Sequence, residues 1–344
     1  MSELSFPISG VDLSTLEATH DLVKVNPSGL PHLSYSLVLP KGWVSEENLG
    51  EQDDGIGMLM RIGLFADRVG PDATVAQVSA AKIPFEIDVR DWVEDQAAEF
   101  ETELVYCQEV QFACGPVVDA GGLYGPADNR QVIRLVAHAD GARIFLISLM
   151  TPLYRYDEQR DNIAIATNSF KLLKPSGSSK LEQWLDTAGG EPAFHVAYPA
   201  SWKSRPVARP IPGKSAVDIV LARENQLAGY LRVKATDPAV AGEPTTHEAL
   251  KIATEELQEG GVALTAAWRE DQSPGVRRIR EPLAAFVTSG RLGERSVELR
   301  IALFERAGLV FALSSISVQK DENPVLWMRS KRAYEIALET ARPG

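Results

Sequence analysis

One short phrase, written twice, constrains this chain more than anything else in it. Tyr35, Leu37, Leu39, Pro40 and Trp43 return 159 residues later as Phe194, Val196, Tyr198, Pro199 and Trp202. Each copy reads as a strand with alternating inward positions, stopped by a proline that has no N–H to give the ladder. A strand repeated at one fixed offset predicts a domain that occurs twice, with the phrase as its entry strand. Trp43 and Trp202, at matched places, are expected to anchor the two cores. The 344 residues suit two domains of ordinary size.

The elements repeat in the same order. The first half shows a lead-in with a short strand at Asp21–Val25, then the entry strand Ser34–Leu39 and an acidic loop at Glu46–Asp54. Strands follow at Ile56–Phe65 and Val75–Lys82, and then a helix at Val89–Thr102 that turns Val89, Trp92, Val93, Ala97 and Phe100 inward. Strands at Leu104–Phe112, Arg130–His138 and Arg143–Met150 come next, the last two joined by Asp140-Gly141, a strong hairpin signal. A helix at Asp157–Leu172 closes the half. The polar stretch Lys174–Lys180 reads as a flexible linker.

The second half offers strands at Val217–Ala222 and Ala228–Ala235, a helix at Thr246–Glu259, and strands at Val262–Arg269, Ala284–Ser289, Ser296–Glu305 and Val310–Val318. A helix at Pro324–Ala341 ends it. Runs of strands broken by two helices predict an α+β fold of two tandem domains, each an antiparallel sheet packed by helices. The expected boundaries are 1–175, a linker at 176–181, and 182–344.

This order resembles the PsbP/DcrB-like fold over about residues 20–175 and 182–344. The resemblance rests on the aromatic-to-Pro-to-Trp entry phrase, the mid-domain helix, the paired long strands, and a closing helix carrying Asn168, Ser169 and Phe170 before Lys171–Lys174. Members of the fold are binding modules without catalytic residues. Among them, the Eag chaperones of type VI secretion pair two concave sheets around apolar helices of an effector. The resemblance implies a non-enzymatic adaptor or chaperone of that kind, a covalent version of such a dimer. The alternative it leaves open is a structural or regulatory module that binds a folded partner. It implies no cofactor, and a monomer acting as a pseudo-dimer or a low-order oligomer.

The residues themselves support no reaction. The five histidines include no pair at the i, i+4 spacing of a helical metal site, no serine sits in a Gly-x-Ser-x-Gly elbow, and Asp53-Asp54 lacks the spacing of a calcium loop. Gly121-Gly122 and Gly290–Gly293 read as turns. Cys107 and Cys114 read as free thiols, one disulfide being the alternative if adjacent strands bring them together. Residues 1–175 hold 13 Lys and Arg against 26 Asp and Glu, which argues against nucleic acid or an anionic membrane as partner. No apolar run is long enough to span a bilayer, so no membrane insertion is expected. The first residues show no secretory signal, which favours the cytoplasm; a mature form with its signal removed is the alternative.

The partner surface is expected on an open sheet face. Leu135, Ala137 and Leu146 are the candidates in the first domain, and Ile301, Leu303, Phe311 and Leu313 in the second. Alternation puts each set on one face without saying which. Arg277, Arg278 and Arg280 form the one basic concentration, read either as a site for an acidic partner or as charge that blocks pairing at a strand edge.

Overall fold

The computed structural model describes residues 6, 13–27, 29–46, 56–112, 114–207, 211–223, 226–242, 245–279 and 283–344. The chain divides into two compact units. One is Met1–Pro84 with Val89–Leu181, and the other is Glu182–Gly344 with the short segment Phe85–Asp88.

In the first unit, α1 (Leu13–Thr19) leads into β1 (His20–Val25), β2 (Tyr35–Pro40), β3 (Val44–Ser45), β4 (Leu59–Ala66) and β5 (Val75–Lys82). Then come α2 (Val89–Glu99), β6 (Glu103–Phe112), β7 (Gly115–Tyr124), β8 (Gln131–Ala139), β9 (Arg143–Pro152), α3 (Tyr156–Ser169) and β10 (Lys171–Leu172). The strands form two antiparallel sheets, β1-β2-β10 and β3-β4-β5-β9-β8-β7-β6. The entry strand β2 is the middle of the small sheet rather than a member of the large one. Its Tyr35, Leu37 and Leu39 join residues of β4, β5, β8, β9 and α3 in one core. Trp43, beyond the proline, is only half-buried against that core.

The second unit runs β11 (Trp184–Gly189), β12 (Phe194–Pro199), β13 (Lys203–Pro206), β14 (Lys214–Arg223), β15 (Gln226–Thr236), α4 (Pro238–Ala241) and α5 (Thr246–Glu259). It continues through β16 (Val262–Leu264), β17 (Arg269–Glu270), α6 (Pro274–Arg277), β18 (Leu283–Leu292), β19 (Arg295–Arg306), β20 (Leu309–Val318), α7 (Pro324–Thr340) and β21 (Arg342–Pro343). The small sheet is β11-β12-β21 and the large one β13-β14-β15-β20-β19-β18-β16, with β17 also on β18. Position for position, the strand order is that of the first unit, and the second copy of the phrase again holds the centre of the small sheet. Here Trp202 is fully packed in the core with Phe194, Val196 and Tyr198.

Several expectations are corrected. Gly121 and Gly122, expected in a turn, lie inside a strand, β7. A Cβ on Gly121 would come within 2.4 Å of the Tyr106 ring, and one on Gly122 within 2.4 Å of the Glu103 carbonyl oxygen, so close packing and not a turn selects glycine there. Gly290 likewise lies in β18, while Gly293, at φ 63°, is the turn residue. α2 stops at Glu99, and Phe100 lies outside it, 47% exposed rather than inward. α3 stops at Ser169, and Phe170, buried, leads into β10. Val262–Arg269 is not one strand but two short ones, β16 and β17. The linker is tied down: Asp140 accepts from the Ser176 amide at 2.8 and 2.9 Å and from its hydroxyl at 2.9 Å, and the Gly141 amide donates to the Ser178 carbonyl at 2.7 Å. Asp53-Asp54 lies outside the described residues.

Candidate functional site: a cleft under the second unit's mid-domain helix

α5 begins with a complete capping box. The Thr245 hydroxyl accepts from the Glu248 amide, and the Glu248 carboxylate accepts from the Thr245 amide. Of its 14 residues only Ala253 and Leu257 are buried. They join Val262, Val297, Leu299, Ile301 and Leu303, so the helix rests on the β16 and β19 part of the outer sheet face. Over β14 and β15 a gap remains, lined on the helix side by Ala249, Ile252, Ala253 and Glu256.

The result is a cleft of about 560 Å³ between α5 and the strands. A second hollow of about 260 Å³ shares Arg232, Ala253, Glu256 and Ser314 with it and continues along the helix to Leu227, Leu257 and Leu292. Ile211 and Ile252, 57% and 44% exposed, line the larger cleft with Ala216, Val207 and Ala312. Volumes of this order are typical of ligand sites. Exposed branched aliphatic side chains on the lips of such a hollow are where a partner gains most by excluding water.

The floor is polar and internally neutralised. Arg232 grips Asp218 with two parallel hydrogen bonds, Nε to Oδ1 at 2.7 Å and Nη2 to Oδ2 at 3.0 Å, and the Tyr230 hydroxyl donates to Oδ1 at 2.9 Å. The fork to Asp218 raises the Arg232 pKa, and burial followed by the adjacent Asp218 charge raises that of Tyr230, so the guanidinium stays charged and the phenol neutral. Lys234 reaches from β15 to both carboxylate oxygens of Glu256 on α5. The cleft therefore offers apolar lips over a rigid, hydrogen-bonding base.

A like trio exists in the first unit with a different role. There Arg134 forks onto Asp119 at 2.9 and 2.8 Å and Tyr106 donates to Asp119 at 3.0 Å, but both charged side chains are essentially fully buried on the inner sheet face. The helix in the corresponding place, α2, buries Asp91, Trp92, Val93, Gln96 and Ala97 against β6, β7 and β8.

The expected surface residues fall elsewhere. Leu135, Ala137 and Leu146 are buried on the side where α2 lies. Ile301 and Leu303 are buried under α5, whereas Phe311 and Leu313 belong to the inner core on the opposite face. The register explains the split: Ile301 pairs with Ser314 and Leu303 with Ala312, so Leu313, opposite Ala302, points the other way. All seven are therefore packing residues rather than an open face. Arg277, exposed on α6, donates to Gln272 at 2.9 Å, and Arg278 pairs with Asp88 at 2.8 Å. Arg280 lies outside the described residues. Cys107 and Cys114 are not joined in a disulfide, and burial pushes the Cys114 pKa up. Burial lowers the His138 pKa. Among the described residues no helix is long and apolar enough to cross a membrane, and no group of three or more His, Cys, Asp or Glu is placed to hold a metal ion.

The fold and the cleft define an α+β chain of antiparallel sheets with a ligand-sized hollow on one sheet. No protein-family model matches the chain, and no curated protein matches it. Among solved structures it is similar to the cyanobacterial PsbP (CyanoP) of Synechocystis sp. PCC 6803, at 12% identity and a TM-score of 0.30, over 50% of this chain and 99% of that one. It is also similar to the immunity protein TplEi of the type VI secretion system of Pseudomonas aeruginosa complexed with "L" peptide, at 7% identity and a TM-score of 0.23, over 94% of this chain and 98% of that one. A third match is to the Tle4-Tli4 complex, at 7% identity and a TM-score of 0.22, over 95% and 98%. At TM-scores of this size the functional argument falls to the chain's own geometry.

Proposed function

We propose that this chain is a non-catalytic protein-interaction module that seats a segment of its partner in the cleft between α5 and β14–β15. The cleft carries the reading: about 560 Å³, aliphatic at the lips, with a floor whose charges are already paired. Such a floor does not demand a charged reactant, and it keeps its shape when a partner removes water. Of the two roles implied by the fold resemblance, the interaction module is favoured over a chaperone that shields long apolar helices. Shielding needs bare apolar sheet, and the residues nominated for it are buried under the unit's own helices and core.

A photoreactive residue in place of Ile252 tests this. It is expected to cross-link a protein partner from the native host, and the same probe at Val69, exposed in the first unit, is expected not to. Ala216→Trp, which fills the cleft from the partly exposed face of β14, should abolish the Ile252 product while leaving the thermal midpoint within a few degrees. Cross-linking that is equal at both positions, or unaffected by Ala216→Trp, would overturn the proposal.

A further inference from the structure

The cleft beside α5 has two unlike lips. One is the helix itself, and the other is β13 with the part of β14 next to it. Register fixes which side chains stand on this second lip. Lys203 lies opposite Val220 and Arg205 opposite Asp218, so both share the sheet face that carries Asp218 and Arg232. Between them Ser204 turns the other way, where its hydroxyl meets that of Tyr198 at 3.3 Å. Lys214, at the start of β14, lies opposite Thr236 and lines the cleft with it.

The charge on this face does not balance locally. Lys203, Arg205 and Lys214 are exposed, and none makes an ion pair or side-chain hydrogen bond with a described residue. The carboxylates nearest to them in the register are committed. Asp218 is held by Arg232 and Tyr230, Glu256 by Lys234, and Asp237 caps α4 by accepting from the Ala239 amide at 2.9 Å. Glu191 also lines the cleft, which leaves three unmatched cations to one carboxylate. α5 carries the opposite sign: Glu255 and Glu259 are exposed on it, and Lys251 meets Glu255 only, at 3.9 Å. Apolar side chains stand beside the cations. Ile211, Val240 and Ile252 are all exposed, and Val240 sits close to Gly213, where an added Cβ would come within 2.9 Å of it.

We propose that the segment seated in the cleft is acidic along the edge that faces β13 and β14. Its Asp or Glu side chains meet Lys203, Arg205 and Lys214, while its aliphatic side chains cover Ile211, Val240 and Ile252. This rests on the reading of the cleft given above and adds the partner's charge and the side on which that charge lies. The lips also discriminate. A basic segment would set like charges against the strand lip, and an acidic edge turned toward α5 would meet Glu255 and Glu259.

Three synthetic peptides test it. They share one pattern of Leu and Ala and differ only at the polar positions, which are all Glu, all Gln or all Lys. Each is added at low salt to the full chain carrying the photoreactive residue in place of Ile252. The Glu peptide is expected to cross-link at a concentration about tenfold lower than the Gln peptide, because three exposed pairings each contribute little alone, and the Lys peptide least of all. Added salt should erase the difference. The triple change Lys203→Glu, Arg205→Glu and Lys214→Glu should invert the order, so that the Lys peptide binds best, a gain that only a folded chain can show. Ala216→Trp should abolish the product of every peptide. If all three peptides cross-link alike and Ala216→Trp removes them, the cleft takes a partner without regard to charge, and this proposal fails while the reading of the cleft stands. An order that survives the triple change overturns it as well, as does a Glu-peptide product that survives Ala216→Trp, or the absence of any product.

Discussion

Asp119 and Arg134 are nearly inaccessible to water, with side chains 2% and 1% exposed, and hold each other through two hydrogen bonds. Ionised side chains so deeply buried are tolerated only when paired, and their pairing is worth less than the cost of breaking it. Asp119→Ala leaves the Arg134 charge and the Tyr106 hydroxyl without this acceptor. It is expected to lower unfolding free energy by about 3–5 kcal/mol, measured by urea titration. Replacing the whole trio, with Asp119→Leu, Arg134→Met and Tyr106→Phe, is expected to recover most of that loss, because no buried polar group is then stranded. If the triple variant is no more stable than the single one, the trio is not the reason for the cost. In the second unit the same residue types are 22–27% exposed at the floor of a cleft. One chemical arrangement thus serves as core structure in one unit and as a platform in the other.

At the scale of elements, α5 and α7 are opposite cases. α7 buries ten of its 17 residues, whereas α5 buries two of 14 and keeps its N-terminus by the Thr245–Glu248 capping box. A helix with so few buried contacts opens at low cost. Thr245→Ala is expected to speed hydrogen exchange along α5 about fivefold, for a cap worth roughly 1 kcal/mol, with α7 unchanged. Equal acceleration in both helices would show that the cap acts on the whole unit. The bounds of α5, the entry strands and the Asp140 hairpin were legible in the sequence because each depends on local signals: a 3.6-residue apolar period, a proline, a turn pair. β7 was not, since Gly121 and Gly122 look like turn residues until Tyr106 and the Glu103 carbonyl are brought against them from another strand. The opposed faces of Ile301 and Leu313 also escaped, because a face is decided by the register between β19 and β20, not by alternation in either alone. The cleft brings residues of α5 across from β14 and β15, a long-range relation with no local mark.

Across the whole molecule, the acidic excess of residues 1–175 contrasts with the near balance of the rest, and the cleft with its paired charges lies in the second part. The stretch after β10 has the composition of a flexible linker, yet Ser176 and Ser178 are tied to the Asp140-Gly141 hairpin of the first unit by four hydrogen bonds. Composition reports the freedom of a segment in isolation, and a carboxylate distant in sequence can remove it. This clamp makes the segment's resistance to proteolysis depend on one side chain. Lys180 is exposed, and Lys174 precedes a proline and so resists trypsin, which leaves Lys180 as the natural cutting point in the segment. Cutting there requires several residues on either side to leave their hydrogen bonds. Asp140→Ala removes three bonds that hold Ser176. Each is exposed, so together they contribute roughly 1 kcal/mol, and the open population rises about fivefold. When opening is fast relative to cleavage, the rate of cutting follows that population. Limited trypsin digestion read by mass spectrometry is therefore expected to show cleavage after Lys180 about fivefold faster in Asp140→Ala, with the thermal midpoint little changed. An unaltered rate at Lys180 would mean that the segment is protected by something other than the Asp140 clamp.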